Sequence, residues 1–317
     1  ITALDKARLY RRVLENRAPV LWHTRAHKRT ADGLEEFTFV DSSPFAGSTT
    51  TRFKGVPIYP EFLALGLWPE LWTISRRKAN PYYISEDQVR TLNFDVFPHW
   101  LDHSIAELAR ARGADEDRRR MQLLQKFVFF LVSKPNCISH TIPDFSRAVR
   151  EGLRAVIQDA QAHRDRAGDP AKKDFYQALV EGLEGIIAYA RNLAGAAAAM
   201  SNRETDPARK AALAEIAHIY RRVPEHPAES FREGLTTVWL CWTAVHLENP
   251  NVGLSLGRLD QLLWDLYCRD IEAGALTVEQ AVELVGYLWL KIGDHVPTVP
   301  NAGEQLFGGS GSNQAIT

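Results

Sequence analysis

Hydrophobic and polar positions along this chain alternate mostly with a helical period. Leu4, Leu9, Val13 and Leu14 outline a short amphipathic helix near the start. Phe175, Leu179, Leu183, Ile186, Ala190 and Leu193 fall at three- and four-residue steps, which predicts a long helix over 172–200 with one apolar face. Residues 230–247, including Phe231, Leu235, Val238, Trp239, Trp242 and Val245, are apolar almost all round, so this helix belongs inside a large core. Ser85-Glu-Asp-Gln88 and Thr277-Val-Glu-Gln280 have capping-box spacing, in which a hydroxyl accepts from the third helical amide and the glutamine reaches back. The second box opens a helix ending near Ile292. Polar breaks at 163–174 and 201–208 read as turns between helices. Strand-like patterning is sparse, at Thr49–Phe53, Val252–Ser255 and Gln314–Thr317, and Ser42–Thr51 reads as loop. The expected architecture is predominantly α with few strands, one unit over 1–317 without repeats or a linker.

Composition supports a packed interior: of 317 residues 45% are hydrophobic and 24% charged, with eight Trp and fourteen Phe. The 38 basic and 39 acidic residues nearly cancel, with no long run of one sign, so neither nucleic acid nor an anionic membrane is expected as partner. No stretch reaches the ~18 apolar residues of a membrane span. Cys137, Cys241 and Cys268 are too few and too far apart for a disulfide framework or a zinc motif, so a reducing cytoplasm is the expected compartment. The chain opens at Ile1 without a Met and stops at Gln314–Thr317, which reads as the opening of a strand, so the sequence reads as a fragment.

Three constellations are candidates for chemistry. His23-Thr-Arg-Ala-His27 and His99-Trp-Leu-Asp-His103 have the spacing that sets two imidazoles on one helix face, but Thr24 and Trp100 stand where a zinc protease needs its glutamate. They are read as surface or packing histidines, and no metal is expected. Gly303-Glu-Gln-Leu-Phe-Gly-Gly-Ser-Gly-Ser-Asn313 lacks the lysine of a phosphate loop and precedes its strand, leaving open a tight turn or a ligand-lining loop. Lys134–Asp144 gathers Asn136, Cys137, His140, Thr141 and Asp144 between two helices. These residues are either polar site groups or helix-end partners, Asp144 being a natural N-cap for a helix from Phe145. Cys241 and Cys268 read as core.

Several segments, in order, resemble glycyl radical enzymes of the pyruvate formate-lyase and glycerol dehydratase type. They are Tyr59-Pro-Glu61, Arg76–Glu86, Phe97–Trp100, Ser139–Phe145, Glu151-Gly-Leu153, Arg209-Lys210, Ile216-Ala217, Val223-Pro224, Ser230–Glu233, Glu248-Asn249, Ser255–Gln261 and Phe307–Gly309. This chain departs from the family pattern at Ser139 (usually Gly), Phe145 and Gly234.

The resemblance implies the helical part of a ten-stranded α/β barrel, two five-stranded half-sheets wrapped in helices, with the substrate inside between a cysteine loop and a glycine loop. Both loops would lie beyond the matched region; Cys137 is not the radical-bearing cysteine, and 1–317 would be the N-terminal part of one domain, inert alone. No cofactor is expected in this chain. The glycyl radical would sit on the C-terminal part and be installed by an S-adenosylmethionine/iron–sulfur activase, and the enzyme would be a homodimer. His140 falls where dehydratase relatives place a pocket histidine able to protonate a leaving hydroxyl, so it is the catalytic candidate. Asn136 aligns with another pocket position, and Ser255, Ser310 and Asn313 lie in segments lining the barrel mouth; with Asp144 they are the substrate-binding candidates. The absence of an arginine near Asn136 argues against a sulfonate. The expected activity is a radical lyase or dehydratase cleaving a C–O or C–C bond of a small hydroxylated substrate. The alternatives are formate C-acetyltransferase chemistry on a 2-keto acid and a non-catalytic helical binding protein.

Overall fold

The computed structural model describes residues 2–21, 26–30, 33–37, 43–51, 55–61, 67–78, 81–120, 141–248, 254–293, 298, 300 and 301. Seven longer helices organise it: α1 (Ala3–Glu15), α2 (Leu153–Arg166), α3 (Pro170–Ser201), α4 (Pro207–Arg222), α5 (Phe231–Glu248), α6 (Leu259–Glu272) and α7 (Val278–Ile292). Both predicted capping boxes form, Ser85 with Gln88 and Thr277 with Gln280, and Thr2 with Asp5 makes a third.

The 32-residue α3 is the axis against which α1, α2 and α4 pack. Asp169 caps it by accepting from the Ala171 amide at 2.9 Å, and Pro170 supplies the preset first turn. Its small residues set how near its neighbours come. A Cβ on Gly185 would lie 3.0 Å from the Arg11 Cα, so α1 approaches α3 at backbone distance there. Ala190, Ala194 and Ala197 continue that surface beneath Leu14, Leu213, Ile216 and Tyr220. The apolar face of α3 is not buried throughout: Phe175 and Leu179 in its first turns are exposed. In α1 likewise only Leu14 of the expected apolar set is buried, while Leu9 and Val13 face outward.

The second core surrounds α5, which is buried on nearly every side as its composition predicts. Val149, Ile157, Ile187, Leu263, Leu266 and Leu288 close around Trp239 and Trp242, which stack at 5.3 Å. A Cβ on Gly234 would come within 2.6 Å of Leu263 Cδ2 and 2.8 Å of Leu266 Cδ1, so these leucine side chains pack directly on the α5 backbone there. A third cluster, Leu67, Leu71, Ile74, Val89 and Phe97, stands apart from both, with Trp68 stacked on Phe97 and donating to Asn93 Oδ1 at 2.6 Å.

Strands depart from expectation. Among the described residues the sheet is one antiparallel pair, β1 (Ala26–Thr30) with β2 (Gly33–Phe37), where no strand was expected. Thr49–Thr51 bends rather than extending in a ladder, and Leu254–Ser255 is irregular. Phe53, Val252 and Gln314–Thr317 lie outside the described residues.

The Ser43–Thr50 loop is buried between α3, α4 and α5 rather than lying on the surface. Buried backbone needs partners, and distant side chains provide them. Tyr220 Oη accepts from the Ala46 amide at 2.7 Å and lies 2.9 Å from the Ala46 carbonyl, which also accepts from Trp239 Nε1 at 2.8 Å. Tyr189 Oη accepts from the Ser48 amide at 3.2 Å.

Candidate functional site

Two of the six candidate residues, Asp144 and Ser255, are among the described residues. Asn136, His140, Ser310 and Asn313 lie outside them, as does Cys137.

The site's described frame is built from two chain segments. The first, Thr141–Phe145, enters a short helix, Ser146–Arg150, and is anchored by the buried Phe145 and Val149. Asp144 is exposed and its Oδ1 accepts from the Ser146 amide at 2.9 Å. Hydrogen bonding to Ser146 holds its carboxyl below the usual range. The N-cap expected at Asp144 falls instead on Phe145, because the helix starts at Ser146; Asp144, one residue before the cap, accepts from the Ser146 amide.

The second segment, Leu254–Gly257, is pinned by the buried Leu254 and Leu256, and Ser255 between them is 4% exposed. The Ser255 amide donates to the Thr141 carbonyl at 2.9 Å, and Ser255 Oγ accepts from the Gly257 amide at 3.2 Å. Gly257 takes φ +69°, a left-handed turn that releases the chain into α6. Arg258 then pairs with Asp260, whose carboxyl is lowered to about 2 chiefly by that arginine. The structure therefore brings together the residue next to His140 and Ser255.

Around this frame the electrostatics are structural. Glu225, 7% exposed, accepts from both Arg154 and Arg191. Burial opposes its ionisation, but these hydrogen bonds and charges outweigh it, so its carboxyl sits below the usual range. Nothing in sequence spacing reveals this cluster, because Arg154 and Glu225 lie on segments 71 residues apart. His246 is fully buried beside Trp242, ring centroids 3.9 Å apart, with Nδ1 2.8 Å from the Trp242 carbonyl, so Nδ1 carries the proton. Burial lowers its pKa to about 4 and keeps it neutral. The buried Cys241 thiol is pushed up to about 12, which leaves it unreactive, and Cys268 is half-buried.

Of the two histidine pairs, only His99 and His103 are both among the described residues. His27 lies on β1, without a helix face, and His23 is outside the described residues. His99 and His103 stack at 5.1 Å on the surface, with His103 Nδ1 2.6 Å from Asp102 Oδ1. No group of three His, Cys, Asp or Glu suited to a metal occurs among the described residues. None of the described helices is long and apolar enough to cross a membrane.

Comparison with known proteins gives this frame its context. The family described as pyruvate formate lyase-like matches residues 15–317. The isethionate sulfite-lyase of Oleidesulfovibrio alaskensis is 29% identical over 252 residues, which cover 75% of this chain and 30% of that protein. The structure titled for 1,2-propanediol dehydration in Roseburia inulinivorans superposes with TM-score 0.84 at 28% identity, over 99% of this chain and 36% of the other. A glycyl radical enzyme from Archaeoglobus fulgidus gives TM-score 0.85 at 27% identity, over 100% of this chain and 39% of the other. This chain thus spans less than two fifths of the length of each. With its residues 15–317 matched and its helices superposed on such enzymes, the chain belongs to the pyruvate formate lyase-like family of glycyl radical enzymes, of which it covers the N-terminal part.

Proposed function

We propose that this chain forms one wall of the substrate pocket in a glycyl radical lyase or dehydratase cleaving a C–O bond of a small hydroxylated molecule. The observation carrying this reading is the Ser255 amide on the Thr141 carbonyl at 2.9 Å, which sets Ser255 against the covalent neighbour of His140. In this reading His140 donates a hydrogen bond or proton to the leaving hydroxyl, and Asn136, Ser255, Ser310 and Asn313 orient the substrate's oxygens. Asp144, already accepting from Ser146, holds the end of the loop. The helices form the outer layer of a ten-stranded barrel whose remainder lies on further chain. A glycyl radical on that further chain, installed by an S-adenosylmethionine/iron–sulfur activase, supplies the hydrogen abstraction. The enzyme is a homodimer in this reading, and 1–317 alone is inactive. The structural relative titled for 1,2-propanediol dehydration supports the substrate class.

The test is His140→Ala in the activated full-length enzyme. Turnover of 1,2-propanediol is expected to fall at least about tenfold with little change in melting temperature. Unchanged turnover would remove His140 from the site. The isethionate sulfite-lyase relative favours a second reading, C–S cleavage. Sulfite release from isethionate, without dehydration of the diol, would establish it instead.

A further inference from the structure

Away from the Thr141–Ser255 frame, two imidazoles are held side by side on an anchored turn. The short helix Phe97–Trp100 follows the π-helical turn Leu92–Val96, and the buried Phe97 with the half-buried Trp100 fastens it to the third apolar cluster. The buried Ser104 fastens the other end, its amide donating to the Trp100 carbonyl at 3.1 Å. His99 and His103 stand on the outer side of this turn, with ring centroids 5.1 Å apart and planes 2° from parallel. His103 Nδ1 lies 3.0 Å from the His99 carbonyl oxygen and 2.6 Å from Asp102 Oδ1. A carbonyl oxygen only accepts, so Nδ1 carries the proton and the ring's lone pair lies on Nε2. The His103 side chain is 60% exposed and His99 is exposed too, so both rings meet solvent.

We propose that His99 and His103 chelate one divalent transition-metal ion of the zinc, nickel or copper kind, with Asp102 and the His99 carbonyl holding the His103 ring from behind. Histidines that ligate metal characteristically donate their other ring N–H to a carboxylate or a carbonyl, which fixes the tautomer and strengthens the ligand, and His103 has both acceptors in place. Imidazole nitrogens suit these borderline ions, whereas magnesium and calcium take oxygen ligands. Water would fill the remaining positions. Trp100 stands where a zinc protease keeps its glutamate, so the pair binds metal without hydrolytic chemistry. The ion would act as a clip, tying two successive turns on the outer side of the third cluster. Spacing alone could not reveal this, because the contacts behind His103 depend on how the turn folds.

The experiment uses the full-length protein without its radical, stripped of metal by a chelator and titrated calorimetrically with Zn2+, Cu2+ and Mg2+. Wild type should bind one equivalent of Zn2+ more than His99→Ala or His103→Ala, a difference in which zinc held elsewhere on the chain cancels. Asp102→Ala should keep that equivalent with affinity at least about tenfold weaker. Cu2+ should bind the pair more tightly than Zn2+, and Mg2+ should not bind it. Zinc should also slow hydrogen exchange in wild-type peptides spanning Phe97–Leu108, and leave the same peptides of His103→Ala unchanged. Equal stoichiometry in wild type and both histidine variants would overturn the site. Wild-type affinity in Asp102→Ala would overturn the part given to Asp102, and zinc bound at the pair without slower exchange would overturn the clip. If an alanine variant does not fold, His99→Phe, a ring without a ligating nitrogen, decides by the same readings.

Discussion

Ser255 and Thr141 meet through one backbone hydrogen bond of 2.9 Å, and this contact joins two segments that belong to different parts of the chain. It is made by main-chain atoms, so side-chain identity at either position does not create it. The turn that follows does the aiming: Gly257 holds φ +69°, and Ser255 Oγ accepts from its amide. Ile142 Cγ2 lies 3.5 Å from where a Gly257 Cβ would sit, so the turn and the loop touch.

Two glycines with positive φ should therefore respond differently to alanine. At Gly257 the added Cβ makes ordinary contacts, and the cost is the left-handed backbone, about 1 kcal/mol. At Gly152, φ +77°, the Cβ would lie 2.5 Å from the Glu225 carbonyl oxygen and 2.6 Å from the His226 carbonyl carbon. Those are backbone atoms of the segment that receives the amides of Leu153 and Arg154, so the start of α2 must move. Gly152→Ala should cost about 3 kcal/mol or more. Urea denaturation of the two variants checks the ranking, and equal losses would contradict it.

The buried Ser43–Thr50 loop gives a second ranking. Tyr220→Phe removes the acceptor of the Ala46 amide and strands that N–H in the core, an expected loss of about 2 kcal/mol. The bond from the Ser48 amide to Tyr189 is longer, 3.2 Å, so Tyr189→Phe should cost less, about 1 kcal/mol. Trp239 remains on the Ala46 carbonyl in both variants. A Tyr220→Phe protein as stable as wild type would show that the loop finds another acceptor.

How far the sequence foretold these features depends on how local their causes are. Helix α7 follows Thr277 and ends at Ile292 as its capping box and periodicity predict, and α5 is buried all round because its residues are apolar all round. The β1–β2 pair escaped because Ala-His-Lys-Arg-Thr and Gly-Leu-Glu-Glu-Phe do not alternate apolar with polar; the Asp32-Gly33 step was the available turn signal. Ser42–Thr51 was legible as loop but not as buried, since its partners Tyr189, Tyr220 and Trp239 stand at least 141 residues away. At the site, Asp144 could be read as an amide acceptor from its position alone. The backbone contact of Thr141 with Ser255 joins segments distant in sequence and had no local signature. The quoted Glu151-Gly-Leu153 and Val223-Pro224 pieces turn out to touch, Leu153 donating its amide to the Pro224 carbonyl at 2.8 Å.

His246 should give stability a dependence on pH well above the usual carboxylate range. Burial is the larger cause holding its pKa near 4, opposed by the bond to the Trp242 carbonyl, against an ordinary value of 6.5. Between those values the unfolded chain binds a proton that the folded protein refuses. Stability is therefore complete above about pH 7 and declines as pH falls toward 4, by about 3 kcal/mol in all. His246→Phe keeps an aromatic ring beside Trp242 and removes the titrating group. It should be less stable than wild type at pH 7.5, having lost a hydrogen bond of about 1 kcal/mol. Its melting temperature should then fall less steeply on acidification, so the two curves converge or cross before pH 4.5. Calorimetric melts at half-unit pH intervals check this, and parallel curves would show that the folded protein accepts the proton on His246 as readily as the unfolded chain does.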